Sequence, residues 1–63
     1  MKTVTIRLKS GDIITMSGSD AGYSIKAAGN TAYVTAWENS RDREITKVYL
    51  LSDVAEIDFK LDK

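Results

Sequence analysis

Aromatic rings and cations are the residues of this chain with the best prospect of chemistry, because the usual catalytic types are missing. There is no His and no Cys among the 63 residues. General acid and base work near neutral pH most often uses His, and nucleophilic chemistry uses Cys, or Ser and Thr activated by a base. A Lys or a carboxylate of displaced pKa would have to substitute, and so short a chain offers little interior in which to shift a pKa or shield a substrate. The expectation is a protein that is not an enzyme, with no catalytic residue and no cofactor. Metal binding is not expected either. Asp53, Glu56 and Asp58 lie close in sequence, yet no loop has the alternating acidic spacing that gathers six or more oxygens around calcium. Residues 18–22, Gly-Ser-Asp-Ala-Gly, form the one Gly-rich stretch, but lack the Lys-Ser or Lys-Thr ending of a phosphate loop and the glycine spacing of a dinucleotide fingerprint. An ordinary connection is expected there.

Tyr33, Thr35 and Trp37 fall two apart, and Lys26, Arg41, Arg43 and Lys47 lie on or near neighbouring elements. Rings for base stacking beside cations for phosphates are how small β-barrels hold single-stranded nucleic acid. The candidate binding surface is therefore Tyr33, Trp37, Arg41, Arg43 and Lys47. The competing reading is that these rings are the most valuable core material in the chain, so that their stripe is the buried face and Ala32, Val34 and Ala36 point outward. That second orientation is the expected one. Nine Lys and Arg balance nine Asp and Glu, so no net field draws in nucleic acid or an anionic membrane over long range.

The elements that would position these groups are strands. Val4, Ile6 and Leu8 alternate with Thr3, Thr5, Arg7 and Lys9, a period of two with one dry and one wet face. Residues 9–12, Lys-Ser-Gly-Asp, supply turn chemistry, with Gly11 free to take positive φ, and residues 13–17 return as a hairpin. Residues 23–28 alternate as a strand would, while Ser19 could instead cap a short helix ending at Gly29; the strand is favoured because Gly29-Asn30 resembles a tight turn before the β-branched and aromatic stretch 32–38. Residues 39–44 are polar and mixed in charge, which predicts a solvated hairpin loop. Residues 45–51 form another strand, and after Ser52-Asp53 the residues Ala55, Ile57, Phe59 and Leu61 alternate with Glu56, Asp58 and Lys60. If first and last strands are neighbours, outward Arg7 and Lys9 face outward Glu56 and Asp58, while Val4, Ile6 and Leu8 meet Ile57, Phe59 and Leu61 in a shared dry interior.

The fold class expected is all-β: one small domain over residues 1–63, a small antiparallel meander of five or six short strands curled into an open barrel or sandwich. The alternative is α+β with one short helix near residues 20–28. With 43% hydrophobic residues the composition is globular, but at this length folding buries only about 60% of the unfolded chain's surface. Disulfides cannot supplement so small a core, which leaves packing or self-association. There is no Pro to protect a strand edge, so an unpaired strand around residues 47–51 could add to another chain's sheet. No apolar run approaches the roughly 20 residues that cross a bilayer, and the start lacks a signal peptide's apolar region, so the expected setting is cytoplasmic, without membrane.

Residues 4–9, the Ser10-Gly11-Asp12 turn, residues 13–16 and the late Ser52-Asp53-Val54-Ala55-Glu56-Ile57 together resemble Sm-like small barrels. There a strand, a glycine turn and a second strand open the sheet and a short Val-x-x-Ile segment closes it. The resemblance implies a barrel topology only. The N-terminal helix and the RNA-reading Asp and Asn positions of that family have no counterparts here, so no binding residue is carried over. Function is thus expected to be that of a small protein-interaction module, of the kind a phage or prophage encodes. Its partner is another protein or itself, as a homo-oligomer through a strand edge. Nucleic acid is the alternative partner.

Overall fold

The structure, a computed structural model, describes residues 1–40 and 43–61. Six antiparallel strands make up nearly all of them: β1 (Lys2–Leu8), β2 (Ile13–Gly18), β3 (Gly22–Ala28), β4 (Thr31–Ser40), β5 (Arg43–Leu50) and β6 (Val54–Leu61). A single 3₁₀ turn, Leu51–Asp53, precedes β6. Two three-stranded sheets result, ordered β2-β1-β6 and β3-β4-β5. The all-β expectation holds in its sandwich form, with the sheets not closed into a barrel. Residues 22–28 are strand, so the helical alternative fails. Among the described residues no helix is long and apolar enough to cross a membrane.

Turn chemistry sets the hairpins where the sequence indicates. Gly11 (φ 101°) closes the β1–β2 connection and Gly29 (φ 62°) the β3–β4 connection. The latter is a two-residue loop between paired Ala28 and Thr31. Positive φ at its first central residue alone is the pattern of a II′ turn, which matches the twist of the flanking strands.

First and last strands do pair. Val4 stands between Met16 on β2 and Phe59 on β6, and Ile6 between Ile14 and Ile57. Arg7 lies opposite Glu56, with Nε 3.8 Å from Oε2. Lys9 falls beyond the ladder, and its backbone N–H donates to the Asp53 carbonyl at 2.9 Å. The register shifts between Arg7 and Leu8, so that Leu8 meets Val54 and Ala55 is left over as a bulge. Strict alternation from Ala55 therefore needs correcting: Val54 packs against the core and Ala55 is exposed. The bulge explains how Val54 and Ile57, three apart, share one face. This segment extends β6 along β1 and closes no barrel, so the Sm-like expectation stops at local pattern.

The core lies between the sheets, where Val4, Ile6 and Met16 of the first meet Val34 and Ala36 of the second. Three expectations are overturned here. Residues 39–44 are not a six-residue loop, because Asn39 pairs with Glu44 and Ser40 with Arg43, so polar residues extend the hairpin as strand. The shared interior of β1 and β6 is only partly dry: Val4 and Ile6 are fully buried, but Phe59 and Leu61 stay 44% and 67% exposed. Finally, Val34 and Ala36 are 0% exposed, so the small side chains of β4 face inward and the stripe of Tyr33 and Trp37 lies on the outer face. The physical reason is complementary size. The first sheet contributes the bulky Ile6, Met16 and Val4, and small residues on β4 let the layers approach.

Candidate functional site

The register of the second sheet sorts the candidate residues. Directly opposed residues of antiparallel strands share a face. Tyr33 is opposite Lys26 on β3 and Leu50 on β5, and Trp37 is opposite Gly22 and Thr46. Tyr33, Trp37 and Lys26 thus share the outer face with the exposed Val48 and Leu50. Lys47 pairs with the buried Ala36 and Arg43 with Ser40, which puts both cations on the core-side face of β5. Arg41 lies outside the described residues. The rings and cations expected to act together are therefore divided between the faces of one sheet.

Trp37 also has a local structural task. A Cβ built on Gly22 would sit 2.8 Å from Trp37 Cζ2 and 3.1 Å from Cε2, so the indole lies across the bare backbone of β3. That packing covers part of the ring that a stacked base would need. It also carries the indole to the β3 edge, where an open cleft of about 390 Å³ is lined by Lys2, Asp20, Tyr23, Trp37 and Phe59. A second open cleft of about 670 Å³ lies between the β3–β4 turn and the 3₁₀ turn, lined by Asn30, Thr31, Tyr33, Leu50 and Ser52. Neither converges charged groups on a point, and among the described residues no three Asp or Glu side chains gather as metal ligands would.

The departure from an ordinary sandwich lies along its open side, between β3 and β6. Tyr23, Ile25, Phe59 and Leu61 occupy core-facing positions, as their pairing with Ala36, Val34, Val4 and Lys2 requires. They remain 38%, 54%, 44% and 67% exposed. Tyr23 and Phe59 touch edge to face across the gap, ring centroids 6.3 Å apart. That contact bridges the sheets, so nothing as thick as a strand passes between them; a partner must come against the side. Side chains of this size carry roughly 200 Å² each, so the exposed parts amount to roughly 400 Å², within the roughly 300–600 Å² of the largest apolar patch on a typical monomer, a patch that is often functional.

The four sheet edges differ in protection. On β2, the Ser17 backbone N–H donates to Glu38 Oε2 at 2.9 Å, so a carboxylate from the other sheet occupies that edge. On β5 the inward Lys47 is a charge of the kind that discourages strand addition. Neither β3 nor β6 carries a charge on its own core-facing side, although Lys2 of β1, opposite Leu61, lines the cleft beside Tyr23 and Phe59. The sequence-based candidate list misses Tyr23, Ile25, Phe59 and Leu61 because alternation marks them as core; only the width of the opposing sheet shows them wet. No family model, curated protein or solved structure matches the chain.

Proposed function

We propose that this protein is a non-catalytic interaction module that binds protein, itself included, through the open side of its sandwich. The observation that carries the reading is the exposure of Tyr23, Ile25, Phe59 and Leu61 at core-type positions along two unprotected edges. Surface area points the same way. The chain exposes 4546 Å², against about 4,000 Å² for a compact monomer of this mass. The surplus, roughly 550 Å², is about two thirds of the roughly 800 Å² that each partner of a standard interface covers. The apolar outer face around Val48 and Leu50 is weaker support, because Ser24, Lys26, Thr35, Thr46 and Glu44 interleave it as on any sheet with one wet face.

The test is the double variant Phe59→Ser/Leu61→Ser, followed by light scattering and by capture of proteins from an extract of the encoding organism. Wild type should self-associate or retain a protein; the variant, with an unchanged far-ultraviolet spectrum, should do neither. A wild type that stays monomeric and captures nothing, or a variant that behaves identically, sinks the proposal.

The second reading, single-stranded nucleic-acid binding, draws on the outward Tyr33 and Trp37 with Lys26 beside them. Separation of Arg43 and Lys47 onto the other face counts against it. An unchanged Trp37 fluorescence on titration with oligonucleotides at low salt would remove it.

A further inference from the structure

We propose that the occupant of the open side is a second copy of this chain, added antiparallel to the free edge of β6 about a two-fold axis at Phe59. This rests on the interaction reading above and names its partner. β6 pairs with β1 alone, so its other edge presents unpaired backbone groups. Joining two such edges would make one continuous sheet from two of three strands, a self-complementary arrangement that a two-fold axis closes.

Charge selects the register. In antiparallel pairing about a two-fold axis, residues opposite one another must lie on the same face, so the axis passes through a residue of β6 and only a few placements exist. With Phe59 on the axis, Phe59 meets its own counterpart, Ile57 meets Leu61, and on the outer face Asp58 meets Lys60 twice. With Asp58 on the axis Glu56 meets Lys60 twice, but two Asp58 carboxylates oppose each other at the axis itself. With Lys60 there, two ammonium groups do, and with Ile57 there Glu56 faces Asp58. With Leu61 on the axis, Leu61 is the one described residue with a described partner, so hardly any ladder forms. Among the described residues of β6, only the Phe59 register joins opposite charges and no like ones. Glu56 would then come opposite Asp62, whose position is outside the described residues, and Glu56 already has Arg7 beside it. The β3 edge offers no such selection, since Lys26 is its one charged residue.

The same register draws cover over the wet apolar groups. Phe59 and Leu61 would be flanked by Phe59 and Ile57 of the second copy, and Tyr23 already rests on Phe59 at the seam. The β2 and β5 edges, guarded by Glu38 and Lys47, stay outside the contact.

Sedimentation velocity over a roughly hundredfold concentration range decides the matter for wild type, Asp58→Lys and Asp58→Lys/Lys60→Asp. Both positions are exposed on the outer face, so the fold should persist, as circular dichroism would verify. Wild type should dimerise, and Asp58→Lys should weaken dimerisation about tenfold to a hundredfold by turning two attractions into two repulsions. The double exchange should restore it to within about threefold of wild type. A double exchange as weak as the single one, or a single exchange without effect, overturns the register. A monomeric wild type overturns the dimer; if that monomer still captures another protein through Phe59 and Leu61, the interaction reading survives it, and if it captures none, both fall.

Discussion

Two glycines, Gly18 and Gly22, pose the same steric problem with opposite expected outcomes. A Cβ on Gly18 would lie 2.8 Å from the Asn39 carbonyl oxygen, with Asn39 C at 3.4 Å and N at 3.5 Å. All three are backbone atoms of β4, held by its pairing with β5. Contact between heavy atoms is most favourable at about 3.5–4.0 Å, so relief means parting the corner where β2 approaches β4. Overpacking of this kind costs about 1–3 kcal/mol, while replacing Gly by Ala within a strand returns about 0.5–1 kcal/mol. Gly18→Ala should therefore destabilise by about 1–2 kcal/mol, a drop of about 5–15 °C in Tm for a domain of this size. At Gly22 the obstructing atoms belong to the Trp37 ring, which can swing away. Gly22→Ala should change stability by less than about 1 kcal/mol, because ring displacement and the strand's gain nearly cancel. Trp37 is the one Trp, so its emission should shift in Gly22→Ala and stay put in Gly18→Ala. Urea titration followed by circular dichroism and by Trp emission reads both effects. A Gly18→Ala protein as stable as wild type would refute the close approach of β2 to β4, and with it the corner that holds the two sheets together.

Ile6→Ala removes a fully buried side chain from the centre of the core and should cost about 2–5 kcal/mol, against a total of about 3–9 kcal/mol for a chain this long, so a substantial unfolded fraction should show in the chemical denaturation baseline. Glu38→Ala deprives the Ser17 N–H of its acceptor and bares the β2 edge; a loss of about 1.5–3 kcal/mol, together with faster aggregation on heating, is expected from thermal melts with light scattering. Arg7→Ala breaks an ion pair whose side chains are 55% and 62% exposed, so stability should move by no more than about 0.5 kcal/mol at any salt concentration in the same melts.

How far the fold was legible follows from what local pattern can encode. Period-two alternation in β1 and turn chemistry at Gly11 and Gly29 depend on neighbours in sequence, and these readings carry over to the structure, as does the Arg7–Glu56 pairing. The failures are tertiary. Nothing local says that Ala36 rather than Trp37 belongs inside, because that depends on how much bulk Ile6 and Met16 bring from the opposite sheet. The bulge at Ala55 is equally non-local, a product of β6 having to match β1 while leaving the 3₁₀ turn. The polar stretch 39–44 reads as loop from composition, although this hairpin carries polar residues far along its arms, pairing Asn39 with Glu44 and Ser40 with Arg43. As for the site, Tyr33 and Trp37 were findable as rings on a common face, but the division of Arg43 and Lys47 from them required the β4–β5 register.

Chain length connects these observations. Two sheets of three strands give each layer one interior strand and two edges, so only β1 and β4 can be flanked on both sides, and the fully buried hydrophobic residues are concentrated on them. Every other strand has one side open to water, and a chain with no Pro must guard those sides with side chains or leave them to be covered. Glu38 and Lys47 place charges on core-facing positions beside the β2 and β5 edges, where they discourage another strand from adding. Along β3 and β6 the same positions hold Tyr23, Ile25, Phe59 and Leu61. A monomeric role would favour guards on all four edges. On the proposed reading, guards on two edges and apolar side chains on the other two direct association to one side of the molecule, so sedimentation velocity should find Lys47→Val pairing indiscriminately through β5 and Phe59→Lys a monodisperse monomer.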